Sequence, residues 1–139
     1  MEPLTSPGAL RPAGVETGAG GRLDAFRATD AFALAAVRVS SELARSDQTE
    51  LAREILRLVL RGGGALVAAS CAEAGSAGER VLLESARDRL SESRYALYLA
   101  RRLGALDLRR YRALASQQDA ALRELAALLI RASGVRRPP

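Results

Sequence analysis

The sequence has few of the residues that most enzymes use. It contains no histidine, no tryptophan and one cysteine, and all 21 of its basic residues are arginine. Helical-bundle di-metal sites combine carboxylates with histidines, so that chemistry is excluded. No strand precedes the Gly62-Gly63-Gly64 run, so a phosphate-binding glycine loop is not expected either. These absences predict a protein that is not an enzyme and that holds no cofactor or metal.

The single cysteine and the absence of long apolar segments indicate the cellular compartment. Cys71 excludes an intramolecular disulfide, and its small-residue surroundings, AASCA, predict a packed thiol. No apolar leader-like segment follows Met1, and no stretch has the length and hydrophobicity of a membrane span. We therefore expect a cytoplasmic protein.

Proline is absent between Pro12 and Pro138, and leucine, alanine, arginine and glutamate recur there at helical spacing. This pattern predicts an all-α protein. The expected helices cover about 24–45, 47 or 49 to 75, 79–103 and 107–134, with Gly104 as a left-handed residue after the third helix. Four helices of similar length joined by short turns favour an up-down-up-down four-helix bundle over residues 23–134.

The two ends of the chain differ from this pattern. Residues 1–22 hold three prolines and five glycines and little that could be buried, so we expect a disordered N-terminal tail. Residues 135–139 form a short C-terminal tail that contains two arginines and two prolines.

Two glutamates fall on apolar helix faces. At 100° per residue, Glu73 shares a sector with Ile55 and Leu66, and Glu92 lies between Val81 and Leu99. Burial of a carboxylate is unfavourable without a partner, and Arg61 and Arg89 are the nearest arginines by periodicity. The favoured interpretation is an ion pair in the core or at a subunit interface; the alternative is a binding role.

The presence of three consecutive glycines within the second helix also needs a physical explanation. Each glycine within a helix is about 1 kcal/mol less favourable than alanine. Close approach of a neighbouring helix explains such a run, and a kink is the alternative.

Basic charge is concentrated towards the C-terminus. Residues 1–100 hold 12 arginines and 13 acidic residues, whereas residues 101–139 hold 9 arginines and 3 acidic residues. Four arginines follow a heptad along the third helix and lead to more arginines at the next turn. The predicted nucleic-acid-binding residues are Arg80, Arg87, Arg94, Arg101, Arg102, Arg109, Arg110 and Arg112. Tyr95, Tyr98 and Tyr111 add surfaces on which unpaired bases can stack, although half-buried packing is the commoner role of such tyrosines.

The arginine content itself has two interpretations. A GC-rich genome favours arginine codons over lysine codons. Arginine also grips phosphates and carboxylates through two parallel hydrogen bonds, which lysine does not.

Two segments, LRGGGALVAASCAEA at 60–74 and ARDRLSESRYALYLARRLGAL at 86–106, resemble the four-helix-bundle proteins of 23S ribosomal RNA intervening sequences. The family motif positions correspond to Arg61, Ala72, Glu73, Ala86, Glu92, Leu103 and Gly104. Departures from the family pattern occur at Ser70, Ala74, Asp88 and Arg89. The resemblance implies a ring-like homopentamer. The chain is also similar to accessory proteins of diversity-generating retroelements, which implies a basic surface that meets a reverse transcriptase and its RNA.

These observations give one leading hypothesis and two alternatives. The leading hypothesis is a non-enzymatic, oligomeric RNA-binding protein. The main alternative is a protein-protein adaptor, for example an accessory subunit of a reverse transcriptase. A weaker alternative is an enzyme or small-molecule binder that uses Glu73 and Glu92 and therefore needs a pocket.

Overall fold

A computed structural model describes residues 21–134, which form four α-helices. Their bounds are α1 Arg22–Arg45, α2 Thr49–Cys71, α3 Ala77–Arg102 and α4 Leu108–Ala132. Helix α1 packs against α2 and α4, and α3 packs against the same two helices. The predicted all-α, four-helix arrangement is thus confirmed. The expected tails fall mainly on residues 1–20 and 135–139, which lie outside the described range.

The last two helices begin and end within two residues of their predicted bounds, and a side chain caps the N-terminus of each. The Ser76 hydroxyl accepts a hydrogen bond from the Glu79 amide at 3.1 Å and caps α3, and the Asp107 carboxylate caps α4 by accepting from the Arg110 amide at 2.8 Å. Gly104 has φ of 78°, which confirms the predicted left-handed residue after α3. Between residues 21 and 134, no helix combines the length and the hydrophobicity that crossing a membrane requires.

Helix α2 ends earlier than predicted, and this changes the environment of two candidate residues. Its last residue is Cys71, after which Ala72 adopts an extended conformation. Glu73 therefore lies outside the helix and is exposed, so its predicted place on an apolar stripe is wrong. Cys71 is also exposed, because the buried face of α2 recurs at Gly62, Leu66 and Ala69 and residue 71 points about 200° away from Ala69. The predicted packed thiol is wrong.

Helix α1 begins at Arg22, a residue that the sequence assigns to the tail. Arg22 Nη2 lies 2.6 Å from Glu79 Oε2, and Arg22 Nη1 donates to the Ser70 carbonyl oxygen at 3.2 Å. The second Glu79 oxygen accepts from the Gly75 amide at 2.8 Å. Only 14% of the Arg22 side chain and 8% of the Glu79 side chain are exposed. This buried ion pair fixes the start of α1 against the loop between α2 and α3.

The core consists of leucine, alanine and valine with one isoleucine, Ile55, and one phenylalanine, Phe32, which lies on α1. The buried positions of α1 include Phe32, Ala36, Val39 and Leu43. The sequence predicts Phe26, Ala33, Val37 and Leu43 on this inward side; Leu43 is buried as predicted, whereas the other three are half-buried. Alanine is frequent throughout α1, so hydrophobic periodicity alone leaves its orientation poorly determined.

The Gly62-Gly63-Gly64 run divides into two kinds of position. A Cβ atom on Gly62 would lie 2.8 Å from Leu90 Cδ2 and 2.9 Å from Leu90 Cγ, on the facing helix α3. Corresponding atoms on Gly63 and Gly64 would meet nothing within 4 Å. The predicted close helix approach is confirmed, and it depends on Gly62 alone.

A pair of matched substitutions checks this packing. Gly62→Ala should lower the free energy of unfolding by about 1 kcal/mol, because the clash with fully buried Leu90 exceeds the gain in helix propensity. Gly64→Ala should raise it by up to about 1 kcal/mol, since only the propensity changes. Chemical denaturation followed by circular dichroism measures both. Equal effects of the two substitutions would contradict the proposed role of Gly62.

Candidate nucleic-acid interface

The turn between α3 and α4 carries most of the unbalanced positive charge. We call residues 101–112 the basic end; they include five arginines and one acidic residue, Asp107. The Asp107 carboxylate is bound to the first turn of α4. Its single negative charge therefore offsets only part of the positive charge of the basic end.

Arg94 is held between α3 and α4 by contacts within the bundle. Its guanidinium donates to the Gln118 side-chain oxygen, to the Ala115 carbonyl oxygen at 3.3 Å and to Asp119 Oδ1 at 2.5 Å. Gln118 is fully buried and donates in turn to the Leu90 carbonyl oxygen and to the Ser93 hydroxyl. Arg94 thus closes a buried polar network, which opposes its predicted role in phosphate binding.

The other three arginines of the α3 heptad, Arg80, Arg87 and Arg101, differ in exposure and in partners. Arg87 lies 3.3 Å from the Asp88 carboxylate on the solvent side of α3. Arg80 and Arg101 are half-buried, and no carboxylate among residues 21–134 lies within 4.0 Å of either guanidinium. The Arg101 Nε is buried without a hydrogen-bond partner in this part of the chain. The heptad therefore does not form one continuous basic line.

Arg110 ties the start of α4 to the end of α1. Its two terminal nitrogens donate to both Glu42 oxygens at 2.5 and 2.9 Å. These hydrogen bonds hold the pKa of the Glu42 carboxyl below its ordinary value and raise the pKa of Arg110. Both groups therefore stay charged at neutral pH. The main role of Arg110 in the structure is to join α4 to α1.

The remaining arginines of the basic end face solvent. Arg102, Arg109 and Arg112 are exposed, and no carboxylate of the described range lies within 4.0 Å of them. Arg112 precedes Asp119 by seven residues, and Asp119 contacts α3, so Arg112 lies on the side of α4 that adjoins α3. Arg102, Arg109 and Arg112 form the accessible charge of this surface.

The three tyrosines of the chain meet beside these arginines, in what we call the tyrosine row. The ring centroids of Tyr95 and Tyr98 are 6.3 Å apart with an interplanar angle of 26°. Tyr98 and Tyr111 are 6.4 Å apart with an edge-to-face angle of 63°. Arg102 Nη1 donates to the Tyr98 hydroxyl at 3.0 Å, which raises the pKa of Arg102, and its Cζ lies 5.9 Å from the Tyr98 ring centroid.

The two glutamates that the sequence singles out do not share a site. Glu73 precedes α3, whereas Glu92 lies 15 residues after Ala77, which is about 22 Å along the helix. Half of the Glu92 side chain is exposed and half is covered, so Glu92 has the partial burial that its periodicity predicts. It pairs with Arg89, as expected, whereas Arg61 is exposed and has no carboxylate within 4.0 Å among residues 21–134.

Glu92 lies at the edge of an open groove between α2 and α3. The groove has a volume of about 330 Å³, and its lining residues are Leu51, Glu54, Leu58, Glu92, Tyr95, Ala96 and Leu99. Glu54 is paired with Arg57 at 2.5 Å. Both acidic groups at the groove are therefore neutralised by arginines of their own helices.

Sequence reasoning missed the Arg22–Glu79 pair, although part of its signal was present. Ser76 and Glu79 have the S-x-x-E spacing of a helix-capping box. That motif places Glu79 at the start of α3 with its carboxylate turned back to the preceding loop. No local signal indicates that the chain brings Arg22 to the same place.

The described range contains no group of three or more histidine, cysteine, aspartate or glutamate side chains arranged to hold a metal ion. Comparisons with protein-family profiles, with curated proteins and with solved structures found no significant match to this chain.

Substitution of Glu79 and Glu92 separates the structural carboxylate from the exposed one. Glu79→Ala should lower the free energy of unfolding by about 3 kcal/mol, because it leaves the buried Arg22 charge unpaired. Glu92→Ala should change it by less than about 0.5 kcal/mol, since both members of that pair are well exposed. Urea denaturation measures the difference. A larger effect at Glu92 than at Glu79 would contradict this assignment.

Proposed function

We propose that this protein is a non-enzymatic, oligomeric, cytoplasmic protein that binds RNA through the basic end of α3 and α4. The observation that carries this proposal is the set of three exposed arginines, Arg102, Arg109 and Arg112, on a surface with one acidic residue. Arg101, with its buried and unpartnered Nε, lies within the same segment.

The physical basis is the attraction between guanidinium groups and phosphates. Each phosphate that an arginine neutralises releases a condensed counterion, so the affinity depends steeply on salt concentration. A guanidinium also offers a planar pair of donors that matches two phosphate oxygens. Arg94 and Arg110 contribute less to this attraction because carboxylates of the fold already pair with them.

We propose further that the chain is related to the 23S ribosomal RNA intervening-sequence proteins. The four-helix arrangement is consistent with that family, and Gly104 ends α3 at the position of the family's Leu-Gly motif. Ala86 is fully buried on α3, as expected of a small motif residue that faces the core. Arg61, Glu73 and Glu92 are exposed, so a role for them in this protein belongs to contacts outside a single bundle.

Exposed apolar residues on α2 support the oligomeric part of the proposal. Leu56, Leu60 and Val67 are 36%, 61% and 37% exposed, and with Gly63 they follow the i, i+4, i+7, i+11 spacing of one helix stripe. The stripe lies beside the core face of α2, and Gly63 has open space above it. Such a stripe fits the surface of a second copy, as in the homopentamer that the family resemblance implies.

The groove between α2 and α3 favours a second candidate function, that of a protein adaptor. Its apolar lining, with Leu51, Leu58 and Leu99, would accept apolar side chains of a partner such as a reverse transcriptase. In that case the arginines of the basic end face water or acidic groups on the partner.

The α2 stripe predicts an effect on molecular mass. Leu60→Gln should shift the protein towards the 14.7 kDa monomer in light-scattering and sedimentation measurements, because a polar group would enter the subunit contact. Val81→Gln, at a residue 62% exposed on α3, is the control and should leave the mass unchanged. A parent protein that is monomeric at all concentrations would contradict the oligomer.

RNA binding is tested by the salt dependence of affinity. For a structured RNA followed by fluorescence anisotropy, alanine at Arg102, Arg109 and Arg112 should reduce the log–log slope against salt by up to about 2. A matched triple alanine variant on α1, at exposed Arg27, Arg38 and Arg45, should retain the parent slope. If the parent shows no binding even at low salt, the adaptor function replaces RNA binding. Equal losses in the two variants would contradict the assigned surface.

A further inference from the structure

We infer that the tyrosine row is a stacking site for unpaired nucleobases, so that the protein prefers single-stranded RNA to duplex RNA. This inference rests on the proposed RNA binding and adds the class of RNA that the site selects. Phosphate contacts by arginine exist for both kinds of RNA, so the basic end alone gives no such preference.

The arrangement of the rings carries the inference. All three tyrosines of the chain lie in one row that runs from α3 to α4. Tyr95 is 65% exposed and Tyr98 is 39% exposed. A tyrosine that serves packing alone buries most of its ring, whereas Tyr95 leaves most of its surface to solvent. The near-parallel Tyr95 and Tyr98 rings thus offer an aromatic platform at the surface.

The surroundings of the row supply positive charge at its Arg102 end, whereas Tyr95 also lines the groove that contains Glu54 and Glu92, each paired with an arginine of its own helix. Arg102 donates a hydrogen bond to the Tyr98 hydroxyl, and its Cζ lies 5.9 Å from the ring centroid, so this contact favours one orientation of the ring. Arg102 is followed within ten residues by Arg109 and Arg112, which supply charge for the phosphates that accompany each base. Stacking platforms that adjoin basic surfaces are the usual means of binding single strands without sequence preference.

The preference for single-stranded RNA follows from whether the flat faces of the bases are exposed. In a duplex each base is covered on both sides by its neighbours, and the major groove is too deep and narrow for side chains to enter. An unpaired base has a face that can stack on the exposed Tyr95 ring. The inference therefore predicts a loss confined to single strands when the rings are removed.

The test compares binding of a fluorescein-labelled oligoadenylate and a blunt RNA duplex of equal length at one salt concentration. The double variant Tyr95→Leu/Tyr98→Leu should lose about 10-fold to 100-fold in affinity for the single strand and little for the duplex. Tyr95→Phe keeps the exposed ring and leaves the Tyr98–Arg102 hydrogen bond in place, so it should bind the single strand as the parent does. Tyr95→Leu alone, at the most exposed ring, is the variant least able to disturb the fold, and circular dichroism checks all three.

Intrinsic fluorescence gives a second readout. Because the chain has no tryptophan and its three tyrosines all lie in the row, tyrosine emission reports on this site alone. The single strand should quench this emission at saturation, after correction for absorption by RNA, and the duplex should not.

The outcomes separate the two proposals. If both RNAs bind with steep salt dependence but the leucine variants bind the single strand as well as the parent does, the stacking site is wrong and the basic surface stands. Equal losses for strand and duplex, or unchanged tyrosine emission at saturation, also overturn the stacking site. If neither RNA binds at low salt, both the RNA-binding function and the stacking site are wrong.

Discussion

The buried polar network between α3 and α4 is the constraint on which the candidate nucleic-acid interface depends. Gln118 is fully buried, and its amide must meet the Leu90 carbonyl and the Ser93 hydroxyl or remain unsatisfied in a low-dielectric core. Apolar side chains tolerate small slips between helices, whereas these hydrogen bonds fix one register. That register places Tyr98 beside Tyr111 and aligns the arginines on either side of the turn.

Arginine has two roles in this chain, and they differ in whether the guanidinium has a partner on another element of the fold. Arg22, Arg94 and Arg110 each join two elements of the fold through carboxylates and carbonyl groups. Arg102 and Arg109 face solvent without a carboxylate within 4.0 Å in residues 21–134. A protein that uses only arginine as its base thus gains ion pairs between helices and keeps an accessible surface charge.

Much of the fold could be predicted because its signals are local. The proline-free stretch, the capping residue Asp107 and the left-handed Gly104 act within a few residues of themselves, so helix number and order follow from the sequence. The candidate site was predicted only in part. The tyrosines and Arg102 do contact one another. Glu73 does not lie on the predicted helix face, because α2 ends at Cys71, two residues before Glu73.

The sequence alone thus indicated the four helices, a close helix approach at the Gly62-Gly63-Gly64 run and the concentration of arginine after residue 100, because periodicity, glycine chemistry and composition are properties of short segments. Only the tertiary structure showed that Gly62 makes this approach, because the atoms that it faces belong to Leu90 on another helix. Only the tertiary structure decided which arginines are held by the fold. Arg94 meets Gln118 across 24 residues, Arg22 meets Glu79 across 57, and Arg110 meets Glu42 across 68. Such partners lie on different elements, and no local pattern encodes a pairing that exists only once the helices pack.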